Sequence, residues 1–171
     1  MKFKNNIITA LLLTIGFILH QITPGILGGM KFDFLLSFIF ISLLINRTFN
    51  NAILTALLGG ILSAMTTTFP GGQLPNIIDK LVTCLILFVI INSIKNLKLN
   101  SIVVSILSGL GTFISGTTFL LSALLITGLP IPFATLMLTV VLPTIFINGL
   151  GTAFLYEIIK RALKISGVTI S

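Results

Sequence analysis

A chain of 171 residues, with 56% apolar and only 8% charged side chains, has too few polar groups to cover a water-soluble fold and belongs in a membrane. Its net charge of +7 does not indicate nucleic acid, because the basic residues are scattered between apolar stretches and not gathered on one face with interleaved aromatics. One Cys rules out an intrachain disulfide, and one His, one Cys and three acids are too few for the usual metal cluster.

A spanning helix needs about 20 mostly apolar residues, and six segments approach that length. The first, Asn6 to Ile22, follows a Met-Lys-Phe-Lys start that imitates a signal peptide, but residues 23–30 offer no small-x-small cleavage site, so it is read as a retained span. His20 and Gln21 at its end suit either an interface or a ligand. The second, Phe32 to Ile45, is short, and its outer end is expected to pack inside protein. Lys31 and Asp33 open it; Lys31 fits interfacial snorkelling or ligand binding. In the third, Asn51 to Thr67, small residues recur at Ala52, Ala56, Gly60 and Ala64, with Thr55, Gly59 and Ser63 beside them, a pattern that permits close helix contact.

Residues 66–80 form the polar interruption of the chain. Pro70, Gly71, Gly72 and Pro75 keep part of it from regular helix, and Thr67, Phe69, Gln73, Asn76 and Asp79 supply the hydroxyl, aromatic, amide and carboxylate groups of a small-molecule pocket. The fourth span, Asn76 to Ile94, starts within it. Asn76 is placed to cap that helix and Asp79 to face its positive terminus, which explains the carboxylate as well as ligand binding does. Cys84, inside an apolar run, reads as a packing residue. The fifth span, Ser101 to Thr127, repeats the small-residue stripe with Ser101, Ser105 and Gly109 and with Ser108, Thr112 and Gly116. In the sixth, Phe133 to Lys160, Asn148 lies deep enough that its amide needs a partner on another helix or on a substrate.

The connections alternate in charge. A cytoplasmic N-terminus puts Lys2, Lys4, Arg47, Lys95, Lys98, Lys160, Arg161 and Lys164 inside and only Lys31 and Lys80 outside. The expectation is an all-α membrane protein, a compact bundle of six transmembrane helices with both termini cytoplasmic, residues 1–171 forming one integral-membrane domain. Catalysis is not indicated: no Gly-x-Ser-x-Gly, His-Glu-x-x-His or phosphate-loop pattern occurs.

Three stretches together carry a family resemblance: Leu19-His-Gln-Ile-Thr-Pro-Gly25, Gly29-Met-Lys-Phe-Asp-Phe-Leu35 and Thr66-Thr-Thr-Phe-Pro-Gly-Gly-Gln-Leu-Pro-Asn-Ile-Ile-Asp-Lys80. The chain resembles the tryptophan transporter family TrpP, counted among the substrate-binding S components of energy-coupling factor (ECF) transporters; the fifth and sixth spans match only in character. The resemblance implies a bundle that captures tryptophan from outside and docks on a transmembrane coupling protein with two cytoplasmic ATPases, without a cofactor or metal of its own. S components often dock through Ala-x-x-x-Ala on the first helix, and the nearest match here is Ala10-Leu-Leu-Leu-Thr14, followed by Gly16.

Chemistry then suggests roles within that resemblance. Lys31 would hold the substrate carboxylate, Asp79 or Asp33 the ammonium, and Gln73 or Asn76 the indole N–H. Phe69 and Met30 would pack the ring, with Thr67, His20 and Asn148 as further candidates. Rival readings are an S component for another aromatic compound or a vitamin, a stand-alone secondary amino-acid transporter, and a membrane scaffold.

Overall fold

The computed structural model describes residues 2–165, which form helices and no strands. In chain order these are α1 (Lys2–Ile22), a single 3-10 turn (Leu27–Gly29), α2 (Phe34–Ile45), α3 (Phe49–Thr66), α4 (Gln73–Ser93) and α5 (Ser101–Ile126). The last span runs through α6 (Phe133–Leu136), a π turn (Met137–Val141) and α7 (Leu142–Ile165) without interruption. Six segments are long and apolar enough to cross a membrane.

α2 is the axis of the bundle. Its 12 residues span about 18 Å at 1.5 Å each, well short of a hydrocarbon core roughly 30 Å thick, yet every residue from Leu35 to Ile45 is buried. A helix apolar on all sides belongs in the interior, and α2 touches α1, α3, α4, α5 and α7. Thus not only its outer end but its whole length packs inside protein. The outer helices turn Leu11, Ile18, Ile106, Leu121, Phe146, Leu150 and Phe154 outward, as a lipid-facing surface requires.

The small-residue stripes lie at helix contacts. A Cβ on Gly60 would stand 3.1 Å from the Ile77 Cα, so α3 and α4 run backbone against backbone. A Cβ on Gly59 would meet the Ile39 side chain at 2.6 Å, which seats α3 on α2. On α5, Gly109 and Gly116 face Ile145 and Val141 of the last span.

Two helix starts differ from the sequence expectation. α3 begins at Phe49, because the Thr48 side chain caps it by accepting from the Asn51 N–H at 3.3 Å. α4 begins at Gln73, three residues before Asn76, with Gly72 at its N-cap position. Pro75 therefore lies in the first turn, where a missing N–H costs nothing. Asn76 is not the cap, and Asp79 lies in the second turn, away from the helix terminus.

The sixth span also departs from a simple helix. Pro143 offers no N–H and its ring would clash with the carbonyl four residues earlier. The turn before it widens, and the Leu142 N–H reaches back five residues to the Met137 carbonyl.

Candidate substrate-binding site

The connections 23–33, 67–72 and 127–132 meet at one end of the bundle. Thr68 Oγ1 donates to the Gly29 carbonyl at 2.6 Å, and Gly71 abuts Thr127. Gly29 has φ +80, a left-handed conformation, and a Cβ there would collide with the Thr68 carbonyl oxygen. This close crossing roofs a cavity of about 540 Å³ counting its open mouth.

One pole of the cavity is charged. Asp33 caps α2, its Oδ1 accepting from the Leu36 N–H at 3.1 Å, which leaves Oδ2 facing α4. Lys80 Nζ donates to that Oδ2 at 2.6 Å and also to Asp79 Oδ2. Asp79 further accepts from Thr83 Oγ1 and Ser115 Oγ, both at 2.9 Å. Asp79 and Lys80 are each 1% exposed. Two carboxylates share one ammonium, so this buried cluster carries one formal negative charge in excess. Lys31 stands apart, donating to the His20 carbonyl at 3.4 Å. The cavity thus has a deep anionic pole and a cation on its wall.

The other pole is apolar. Met30, Phe69, Phe119, Val140 and Val141 line it, and the Phe69 and Phe119 rings meet edge to face at 5.2 Å between centroids. Such an arrangement receives a flat aromatic group well.

Of the residues singled out in the sequence, Met30, Lys31, Asp33, Thr67, Phe69, Asn76 and Asp79 line this cavity. Gln73 does not; it is exposed on the first turn of α4. His20 is buried beside the cluster, its Nδ1 3.5 Å from Asp33 Oδ1 without a hydrogen bond, and is not part of the lining. Asn148 holds the bundle below the site, donating to the Asp33 carbonyl at 3.1 Å and to Thr112 Oγ1 at 3.3 Å while accepting from Ser37 Oγ. On α1, Ala10 and Thr14 share an exposed face, whereas Gly16 is buried against Leu35 and Phe38 of α2. Two residues beyond Thr14 on a helix points to a different side, so Gly16 does not belong to that face.

Sequence reasoning missed Lys80 as the centre of the cluster and the walls supplied by α5 and the last span. One signal was present: Thr112, Ser115, Gly116 and Phe119 are spaced i, i+3, i+4, i+7 and form one helix face of two hydroxyls, a ring and a glycine on which Val141 packs. Only its small residues had been weighed, and as packing.

Six apolar spans around a cavity at one end define a multi-pass membrane protein with a candidate small-molecule site. The sequence matches the family described as Tryptophan transporter TrpP over residues 2–164. The chain belongs to that family and resides in a bacterial plasma membrane. A probable tryptophan transport protein of Clostridium acetobutylicum is 44% identical over 168 residues, covering 96% of both chains. Relatives of the same description in Clostridium perfringens and Bacillus subtilis are 43% and 40% identical, each covering 96% of this chain and 97% and 95% of their own. No solved structure matches the chain significantly.

Proposed function

We propose that the protein takes up tryptophan as the substrate-binding S component of an ECF transporter, the cavity being its substrate site. The observation that carries the reading is the pairing of poles: a buried cluster short of one positive charge, a separate ammonium on Lys31, and an aromatic end between Phe69 and Phe119. An aromatic amino-acid zwitterion complements all three. Its ammonium completes the Asp33–Lys80–Asp79 cluster, its carboxylate meets Lys31, and its ring enters the apolar pole.

The basic connections lie at the opposite end of the bundle from the cavity, which faces the site outward under the positive-inside rule. Lys80, counted in the sequence as an outer charge, is buried in the cluster, so Lys31 alone weighs against the cytoplasmic excess. On α1, Ala10 and Thr14 offer the small exposed face suited to docking on a coupling protein with two ATPases.

The binding test is direct, because the chain lacks Trp and bound tryptophan would supply the only indole emission. Asp79→Asn leaves a balanced Asp33–Lys80 pair, so folding is kept while the excess negative charge is lost; Lys31→Ala removes the cation. Each is expected to weaken tryptophan binding by about 10- to 100-fold, the worth of a charged hydrogen bond. Unchanged affinity in both variants would defeat the charge assignment.

A further inference from the structure

Resting on that placement of tryptophan, we infer that Thr144 Oγ1 accepts the indole N–H and so sets the preference for indole over other aromatic rings. The indole nitrogen is a donor only, and burying it without an acceptor costs free energy. The question is which group in the cavity still has an acceptor to offer.

The hydroxyls differ in what they have already committed. Ser115 Oγ donates to Asp79 and lies 3.4 Å from Lys80 Nζ, inside the charged cluster. Thr112 Oγ1 donates to the Ser108 carbonyl at 2.8 Å and accepts from Asn148. Thr67 Oγ1 accepts from the Phe69 N–H. Thr68 is exposed at the rim, where water competes.

Thr144 is different. Its Oγ1 donates to the Val140 carbonyl at 2.6 Å, so its proton is committed and both of its lone pairs remain to accept. The side chain is 5% exposed and lines the cavity. The π turn puts both Val140 and Val141 into the wall beside it, with Val141 packed against Gly116 of α5. An acceptor set in that wall favours a ring that carries an N–H over one that does not. Asn76, the acceptor expected from the sequence together with Gln73, lies one turn from Asp79 and Lys80 on α4. Its Nδ2 is tied to the Gly72 carbonyl at 2.8 Å, and its position suits the amino-acid end of the ligand.

The test compares tryptophan with β-(3-benzothienyl)alanine, in which sulfur replaces the ring N–H, by displacement of the bound tryptophan emission and by calorimetry. Wild type is expected to prefer tryptophan by about 3- to 10-fold, the worth of one neutral hydrogen bond. Thr144→Val should bring tryptophan down to the affinity of the analogue and leave the analogue unchanged, and Thr144→Ser should keep the preference. A preference that survives Thr144→Val, or an equal loss of both ligands, overturns the assignment; a preference abolished by Asn76→Ala and not by Thr144→Val moves the acceptor to α4. If wild type binds neither ligand, the reading of the cavity itself falls, and the assignment with it.

Discussion

Lys80 is the side chain on which the site most depends. Its stem is buried and its ammonium joins Asp33, 47 residues away in the chain, to Asp79 next to it. Removing one partner of a buried ion cluster costs about 3–5 kcal/mol, since the remaining charges are left unpaired. Lys80→Met leaves two buried carboxylates and no cation, so its thermal transition in detergent should fall well below that of Asp79→Asn, which keeps a one-to-one pair. Equal transitions for the two variants would show that Lys80 does not hold the cluster together. The sequence led to seven of the 18 residues that line the cavity, five of them polar, because polar groups in so apolar a chain stand out. It did not lead to Lys80, since adjacent helical residues point about 100° apart and Asp79-Lys80 reads as an ordinary interfacial pair. Only the approach of the α2 N-cap turns that pair into a cluster. Asn148 shows the reverse: depth alone required a partner, and the partners are Asp33, Thr112 and Ser37 rather than the cavity.

At the scale of elements, the cluster exists because helices come unusually close. Gly60 lets α4 press on α3, and its missing Cβ would also stand 3.6 Å from the Lys80 Cβ. Gly60→Val drives two methyl groups into the Ile77 backbone, an overpacking that costs about 1–3 kcal/mol. The expected result is a lowered thermal transition together with weakened tryptophan binding, because α4 carries Asn76, Asp79 and Lys80 as one unit. A variant that loses stability but binds normally would separate the helix contact from the site. The small-residue stripe was plain in the sequence, and so were six spans with their connections, since an apolar run between turn residues has few other outcomes. The start of α4 was not plain: Pro75 suggests a helix beginning after it, yet a first-turn proline is equally allowed. The π turn was hidden for a similar reason, because a proline at 143 dictates some accommodation before it without specifying which.

For the whole molecule, the distribution of charge bears on the source of energy. Both lysine–carboxylate ion pairs among the described residues belong to the cluster at the cavity end. In the half of the bundle near the basic connections, the buried polar groups are hydroxyls and amides: Thr9 Oγ1 donates to Asn51 Oδ1 at 2.7 Å, and Ser42 joins Thr9 and Thr55. Among the described residues no buried carboxylate, His, Lys or Arg continues the cluster towards that end, as a chain of charged groups would need. Beneath the cavity, Leu36 begins a column of α2 side chains, including Phe40 and Leu44, each at most 3% exposed. That packed column separates a substrate in the cavity from the other end of the bundle. Under the proposed S-component role, inward release comes from reorientation of the bundle, driven by a partner. Purified protein in liposomes should bind tryptophan yet fail to accumulate it under a proton or sodium gradient; accumulation should appear only when the coupling protein, the two ATPases and ATP are added. Concentrative uptake by the protein alone would instead make it a secondary transporter, with the Asp33–Lys80–Asp79 cluster as the first place to look for its coupling ion.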